Sequence, residues 1–399
     1  MTVALAVPPG ESYAPDFAVL VEGKQLDART RGDVVSIQVN MDLEKMTTFD
    51  LTFSNWDEEQ LRFKYSEEAQ DGAKLALGGR IAIRLGYADK LITVAVGTIT
   101  NLNPRFPESG PPTIAVGGTD DLQKLRNRKL RPDESPHYRQ LADWQIAQQV
   151  AARHGLAVEV TREGPVWDHV VQKGQSDAQF LAERARRIDF DCYIATDVRT
   201  DRQTLHFERP RDGRTAQDYQ GEQGVHELAY GPGLFAETQR IGQPRPLVPS
   251  LIEFTPTLTL AKQVSAVTVR GWNPATKEPI AFTATERQLP PGRGESGPQA
   301  AGRALAGREE VVVDAPVASE EEARRLATAL LTERSYAFLT GSGRIAGLPG
   351  LRPGHVLDVH GLGRRFSGEY YVTRVVHTLN TSGFFTEFGA RRVYDGSGR

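Results

Sequence analysis

Residues Gly354 to Phe388 read GHVLDVHGLGRRFSGEYYVTRVVHTLNTSGFFTEF, and this stretch decides the fold. Apolar residues recur with a period near two through Val356, Leu357 and Val359, then Tyr371, Val372 and Val375, then Phe384, Phe385 and Phe388. Gly361-Leu362-Gly363 and Thr381-Ser382-Gly383 separate the runs. Such alternation between glycine-bearing turns predicts consecutive antiparallel strands. An echo lies nearer the front: GGRIAIRLGY (Gly78 to Tyr87), LITVAVGTITNL (Leu91 to Leu102) and TIAVGG (Thr113 to Gly118). Both stretches run strand, turn, longer strand, loop, strand. The reading is an internal duplication of a small antiparallel β-barrel, giving a mainly β protein with α+β insertions.

Working outward, residues 1–16 form a proline-interrupted N-terminal arm, and 17–120 are expected to hold the first tube-type barrel. Val34, Ile37 and Val39 alternate there, as do Phe49, Leu51 and Phe53, and a short helix is expected within Asp57 to Glu68. Residues 121–225 change character and predict an inserted α/β domain. Ile146, Ala147, Val150 and Ala151 make a helical stripe that stops at Gly155, and Ser176 with Gln179 forms a capping box. Residues 226–392 are expected to hold the second barrel, with a flexible excursion at 288–302 and a helix at 320–334 that Ser319 caps. Residues 393–399 are a tail.

The 399 residues carry a formal net charge of −3, which gives no overall pull towards nucleic acid or anionic membrane. The single cysteine, Cys192, excludes an internal disulfide and a cysteine-built zinc site. The N-terminus lacks the basic start of a signal peptide, and no apolar run reaches the ~20 residues of a membrane helix.

Catalytic patterns are missing. The eight histidines (137, 154, 169, 206, 226, 355, 360 and 377) show no paired-ligand spacing, so no metal site is expected. His377 reads as a packed or solvated strand residue. GSGRIAGLPG from Gly341 fails the dinucleotide spacing, and no P-loop or GxSxG elbow occurs. Cys192 lies beside Asp191, which opposes a thiolate, so it reads as structural. The acidic runs Asp57-Glu58-Glu59 and Glu320-Glu321-Glu322 sit at expected helix starts, where they complement the dipole. A paired-carboxylate glycosidase stays open from sequence, because such pairs meet only in three dimensions. No cofactor is expected. One basic run, Lys124, Arg126, Arg128, Lys129 and Arg131, is a candidate protein-contact patch set against a solvated linker; no aromatic interleaves with it for base stacking.

Three stretches in order resemble the late-control D proteins of phages: QKGQSDAQFLAERARRIDFDCYI (Gln172 to Ile194), VTVRGWNPATKEPI (Val267 to Ile280) and the closing PGLRPGHVLDVHGLGRRFSGEYYVTRVVHTLNTSGFFTEF. Asn273 stands where the family commonly has aspartate. The resemblance also extends to the hub half of VgrG spike proteins. It implies the baseplate hub of a contractile injection system, in a phage tail or an extracellular injection particle, assembled in the bacterial cytoplasm. The implied partners are two further copies in a homotrimer, an inner-tube or tube-initiator protein, a separate spike protein and baseplate wedge proteins. Two barrels in each of three chains would match a sixfold tube to a threefold spike. No specific nucleic acid and no membrane are implied. The rival readings are a tail-associated cell-wall hydrolase and a carbohydrate-binding β protein.

Overall fold

A computed structural model describes residues 14–66, 75–88, 90–127, 136–197, 200–210, 224–231 and 251–396. The first half supplies β1 (Pro15–Val21), β2 (Lys24–Gln25), β3 (Val34–Asp42), β4 (Thr48–Ser54), β5 (Trp56–Asp57), β6 (Arg62–Phe63), β7 (Arg80–Tyr87), β8 (Lys90–Arg105) and β9 (Thr113–Thr119). The insertion follows with β10 (His137–Ala142), β11 (Ala157–Val160), β12 (Val166–Val171), β13 (Asp191–Thr196) and β14 (Gln203–Glu208). The second half carries β15 (Val225–Ala229), β16 (Leu251–Leu258), β17 (Ala266–Asn273), β18 (Glu278–Ala284), β19 (Glu309–Val312), β20 (Leu339–Ala346), β21 (Val356–His360), β22 (Gly368–Asn380) and β23 (Gly383–Arg392).

The expected pair of barrels is not what forms. Among the described residues no sheet closes; both β regions merge into one 13-stranded sheet ordered β16-β20-β23-β22-β3-β4-β9-β8-β7-β1-β2, with β15 and β21 attached beside β22. Closing each half would require β1 to meet β3, and β15 to meet β16. Instead β3 offers its second edge to β22, in register from Asp42 opposite Arg374 to Ile37 opposite Leu379. Hydrophobic alternation cannot distinguish these outcomes, because it sets which face is buried and not which edge a strand adds to.

The duplication itself is present, at the level of register. In chain order β3, β4, β7, β8 and β9 correspond to β16, β20, β21, β22 and β23. The β7-β8-β9 meander repeats as β21-β22-β23. The irregularities fall in matching places: between Ile99 and Asn101 in β8 and between Val372 and Arg374 in β22, then between Val34 and Ser36 in β3 and between Leu251 and Glu253 in β16. The flanking strand differs, since β1 runs antiparallel to β7 whereas β15 runs parallel to β21, and β7 carries an irregularity between Ile83 and Arg84 that the shorter β21–β22 pairing lacks.

One core spans both halves. Ile37, Val39, Phe49, Leu51, Phe53 and Ile83 from the first join Leu357, Val359, Val372, Val375, Phe384 and Phe388 from the second. Each such side chain contributes roughly 1.5–3 kcal/mol by leaving water. Tight packing shapes the sequence: a Cβ on Gly118 would sit 2.2 Å from Phe49 Cζ. That position therefore accepts only glycine without rearrangement.

Two smaller α/β modules pack beside the sheet. The expected insertion contains helices Asp143–Arg153 and Asp177–Arg186, and its core holds Ile146, Val150, Phe180, Leu181, Leu205 and Phe207. Gly155 takes φ +65° at the stop of the first helix, and Ser176 and Gln179 cap the second reciprocally. The other module lies inside the region read as the second barrel. There β17, β18 and β19 form a separate sheet, and helix Glu320–Tyr336 packs Ala323, Leu326, Ala327 and Leu331 onto Val267 and Val269.

Two local expectations also change. The 288–302 excursion runs into helix Gly297–Ala304, where Ser296 Oγ accepts from Gln299 N at 3.3 Å and Gln299 reaches back to Ser296 N at 2.9 Å. Glycine and proline suggested a loop, yet Pro298 occupies the first turn, where a missing N–H costs nothing. In place of the short helix at Asp57, the β5/β6 hairpin forms; Asp57 Oδ1 accepts from Glu59 N and Gln60 N, both at 3.1 Å.

Candidate assembly surface

The large sheet has one face on the core; on the other, which the α/β insertion covers in part at Arg80, Arg84 and Thr93, the register fixes the rows displayed. One row runs from Glu253 through Arg344, Glu387 and Val376 to Asn40, Thr48 and Thr119. A second runs from Thr255 through Ser342 and Gly389 to Arg374 and Asp42. Threonine, serine, asparagine and alternating charges dominate, and Arg344 lies 4.0 Å over the Phe385 ring. A groove of ≈ 310 Å³ lies here, lined in part by Glu253, Arg344, Arg374 and Glu387. Such a face is mostly polar, interrupted at the seam by Val376, which is buried.

The seam and the edges carry the geometry that matters. One edge of β22 is paired with β23, while the other is divided between β21 at its start and β3 beyond the irregularity. In β8 the corresponding edge is only half used. β7 covers it from Lys90 to Thr98, and beyond Ile99 only β9, on the opposite edge, pairs with it among the described residues. Thr100, Asn103, Pro104 and Arg105 are exposed there. The strand equivalent to β3 is β16, and among the described residues β16 pairs with β20 alone. Among the described residues, one strand end thus lacks the neighbour that its duplicate has, and one edge strand is of the kind that would supply it.

Polar contacts, some buried and some half-buried, tie the α/β insertion to the sheet and the two halves of the sheet to each other. Arg80 grips Asp121 with bonds of 2.5 and 3.2 Å, and Asp121 N donates to Gln203 Oε1 at 2.9 Å. Arg84 pairs with Asp201 at 2.8 Å. Tyr371 donates to Asp191 at 2.5 Å; burial pushes the Asp191 carboxyl above its ordinary range. Asp120 accepts from Thr47 N and Leu122 N, and burial raises it to about 6. Arg352 donates to the carbonyls of Thr93 at 2.7 Å, Pro349 at 2.6 Å and Leu351 at 2.9 Å. Burial lowers its guanidinium to about 10.

Of the candidate contact patch, Lys124 and Arg126 lie in the last turn of helix Leu122–Arg126. Lys124 pairs with Asp121 at 2.9 Å, so one of its charges is committed internally. Arg128, Lys129 and Arg131 lie outside the described residues. The histidines separate by environment. His377 is fully buried, bonded to Thr386 Oγ1 at 2.9 Å, and burial with the Arg352 charge lowers it to about 3. His226 stacks on His355 and is lowered to about 4, burial first and Arg352 second. Cys192 is pushed up to about 12 by burial and then Asp191, which leaves an inert thiol.

Sequence reasoning missed the seam residues and the matching edges. The signal was present as a repeated strand, Ser36-Ile37-Gln38-Val39 against Glu253-Phe254-Thr255-Pro256, too weak in residue identity to recognise unaided.

The overall fold is similar to that of solved tail proteins and a secretion-system component. The chain is similar to the 43 kDa tail protein of prophage MuSo2 from Shewanella oneidensis, with 14% identity and a TM-score of 0.66 over 95% of this chain and 98% of that one. A tail protein from Neisseria meningitidis MC58 is similar at 12% identity and TM-score 0.62, over 96% and 98%. An E. coli component of the type VI secretion system, itself described as similar to T4 tail proteins, matches at 12% identity and TM-score 0.53, over 96% and 78%. No curated protein matches in sequence. The chain belongs to the Alg8 N-terminal domain family, whose model matches residues 12–206 and 249–381.

Proposed function

We propose that this protein is the structural baseplate hub of a contractile injection system, a symmetry adaptor between a sixfold inner tube and a threefold spike. Its place is a phage tail or an extracellular injection particle, assembled in the bacterial cytoplasm. The observation that carries the reading is the register-level duplication, joined in one chain by β3 and β22. Each chain presents two related units to a tube, so three chains present six.

The same pairing supports a rule for the homotrimer. If β16 of one copy repeats towards β8 of the next what β3 does towards β22 within a copy, the matched registers place Thr257 opposite Asn103 and Phe254 opposite Phe106. Ladder hydrogen bonds then replace the open edges, which are otherwise sites of uncontrolled association. The open polar face would line a channel, and the α/β modules would lie outside it towards wedge proteins. Lys124 and Arg126, with Arg128, Lys129 and Arg131, are proposed as a contact for an acidic partner surface. The mechanism is mechanical: the hub nucleates the tube, holds the spike and travels with both when the sheath contracts.

Co-expression of the full chain with tube and spike proteins from the same system tests this. The account expects a complex holding three copies of this chain. A monomer that retains neither partner contradicts it.

A further inference from the structure

The parallel pair β15–β21 is where the second unit departs from the first, and its outer face carries an unusual row. Glu227 lies opposite Asp358, and Asp358 lies opposite Glu369 of β22. His360 is two residues beyond Asp358 on the same face, with Nε2 3.2 Å from Asp358 Oδ2. Ligand atoms of Glu227, Asp358 and His360 all lie within 4.8 Å of one another. The inward residues of these strands, Leu228, Leu357 and Val359, belong to the core, so the row is not turned outward by a register slip.

The duplication supplies an internal control. In the first unit the matching row is Leu20–Ala82–Val96, which is apolar throughout. The fold therefore does not require carboxylates here. Like charges set directly opposite on neighbouring strands are destabilising, and a parallel ladder is slightly weaker per residue than an antiparallel one. A strand as short as Val225–Ala229, held by β21 alone among the described strands, carries both penalties.

We propose that Glu227, Asp358 and His360 bind a divalent transition-metal ion that pins β15 to β21. Two carboxylate oxygens and one imidazole nitrogen form a mixed N/O donor set suited to Zn²⁺, with one position left for water. Magnesium and calcium, which take oxygen ligands, fit the imidazole poorly. The ion neutralises the facing carboxylates and cross-links the strands; its role is structural. Asp358 is 23% exposed and His360 8%, so the site is nearly enclosed yet has a path from solvent. This inference does not depend on the proposed hub function.

The experiment uses the full chain, stripped with chelator and titrated with Zn²⁺ by calorimetry, alongside thermal unfolding. The account expects one Zn²⁺ per chain at this site and a Tm that rises with Zn²⁺ concentration. Asp358→Asn and His360→Gln should each weaken binding at least ~10-fold. Glu227→Gln should also lose affinity, yet raise the Tm of the metal-free protein by removing a facing charge. A second cluster, Glu159, His206 and Glu208 across β11 and β14, provides the control: Glu159→Gln with His206→Gln should leave the titration at this site unchanged. Absence of Zn²⁺ binding overturns the proposal, as does binding that survives Asp358→Asn and His360→Gln. A metal-free Glu227→Gln protein less stable than the parent also overturns it, since that result makes the glutamate an ordinary structural contact.

Discussion

Asn40 of β3 and Val376 of β22 lie opposite each other in an antiparallel ladder, although the segments are far apart in the chain. Through this pair the sheet continues from one unit of the duplication into the other. Beneath it the core does the same, with Ile37 opposite Leu379 and Met41 opposite Val375. Ile37 is fully buried at the seam. Ile37→Ala should lower stability by about 2–4 kcal/mol, through lost transfer energy and the cavity left behind. Chemical denaturation measures this, and both units should lose cooperativity together.

Gly118 and Phe49 are mutually constrained. A Cβ at Gly118 would overlap Phe49 Cζ and approach the Thr98 carbonyl at 2.3 Å. Gly118→Ala should therefore cost about 1–3 kcal/mol by overpacking. Adding Phe49→Leu should recover part of the loss while creating a smaller defect of its own. A double-mutant cycle on unfolding midpoints reads the coupling.

Arg352 ties the second unit to the first through Thr93, using carbonyl acceptors. Arg352→Met fills similar volume but leaves three carbonyls without this donor. The expected cost is about 1–3 kcal/mol. Protection of the amides around Thr93 in hydrogen exchange should fall more than protection in the 122–208 module.

Acid should destabilise the sheet through its buried histidines. His226 and His377 are depressed to about 4 and about 3 when folded, whereas unfolded histidine titrates near 6.5. Between those values the unfolded chain binds more protons, so stability falls as pH drops from about 6.5. Each histidine accounts for about 2 kcal/mol lost between pH 6.5 and pH 5. Asp120, raised to about 6, acts in the opposite sense: the folded form takes up its proton first as pH falls from about 6 towards 4. His377→Gln should flatten the acid limb of the stability–pH curve, whereas Asp120→Asn should steepen it.

Legibility in the sequence followed the range of the signal. The β21-β22-β23 meander, helix Glu320–Tyr336 and the Ser176 cap are set by residues a few positions apart, and each was visible in spacing. Closure was misjudged because it depends on which distant edge β3 meets, and nothing in Val34 to Asp42 names β22 as the partner. The module built on β17, β18 and β19 was absorbed into the barrel reading for the same reason: its strands alternate like those of the large sheet. The row of Glu227, Asp358 and His360 was invisible because parallel pairing brings together residues more than a hundred positions apart. Ser296 and Gln299 did carry a readable cap, hidden among glycine and proline.

The central claim is that β16 of one copy completes β8 of the next. Asn103→Cys with Thr257→Cys, introduced in the full chain together with Cys192→Ser and oxidised, tests it most directly. The account predicts an interchain disulfide and a covalent species of three chains by denaturing mass measurement. A protein that stays monomeric under the same oxidation contradicts it.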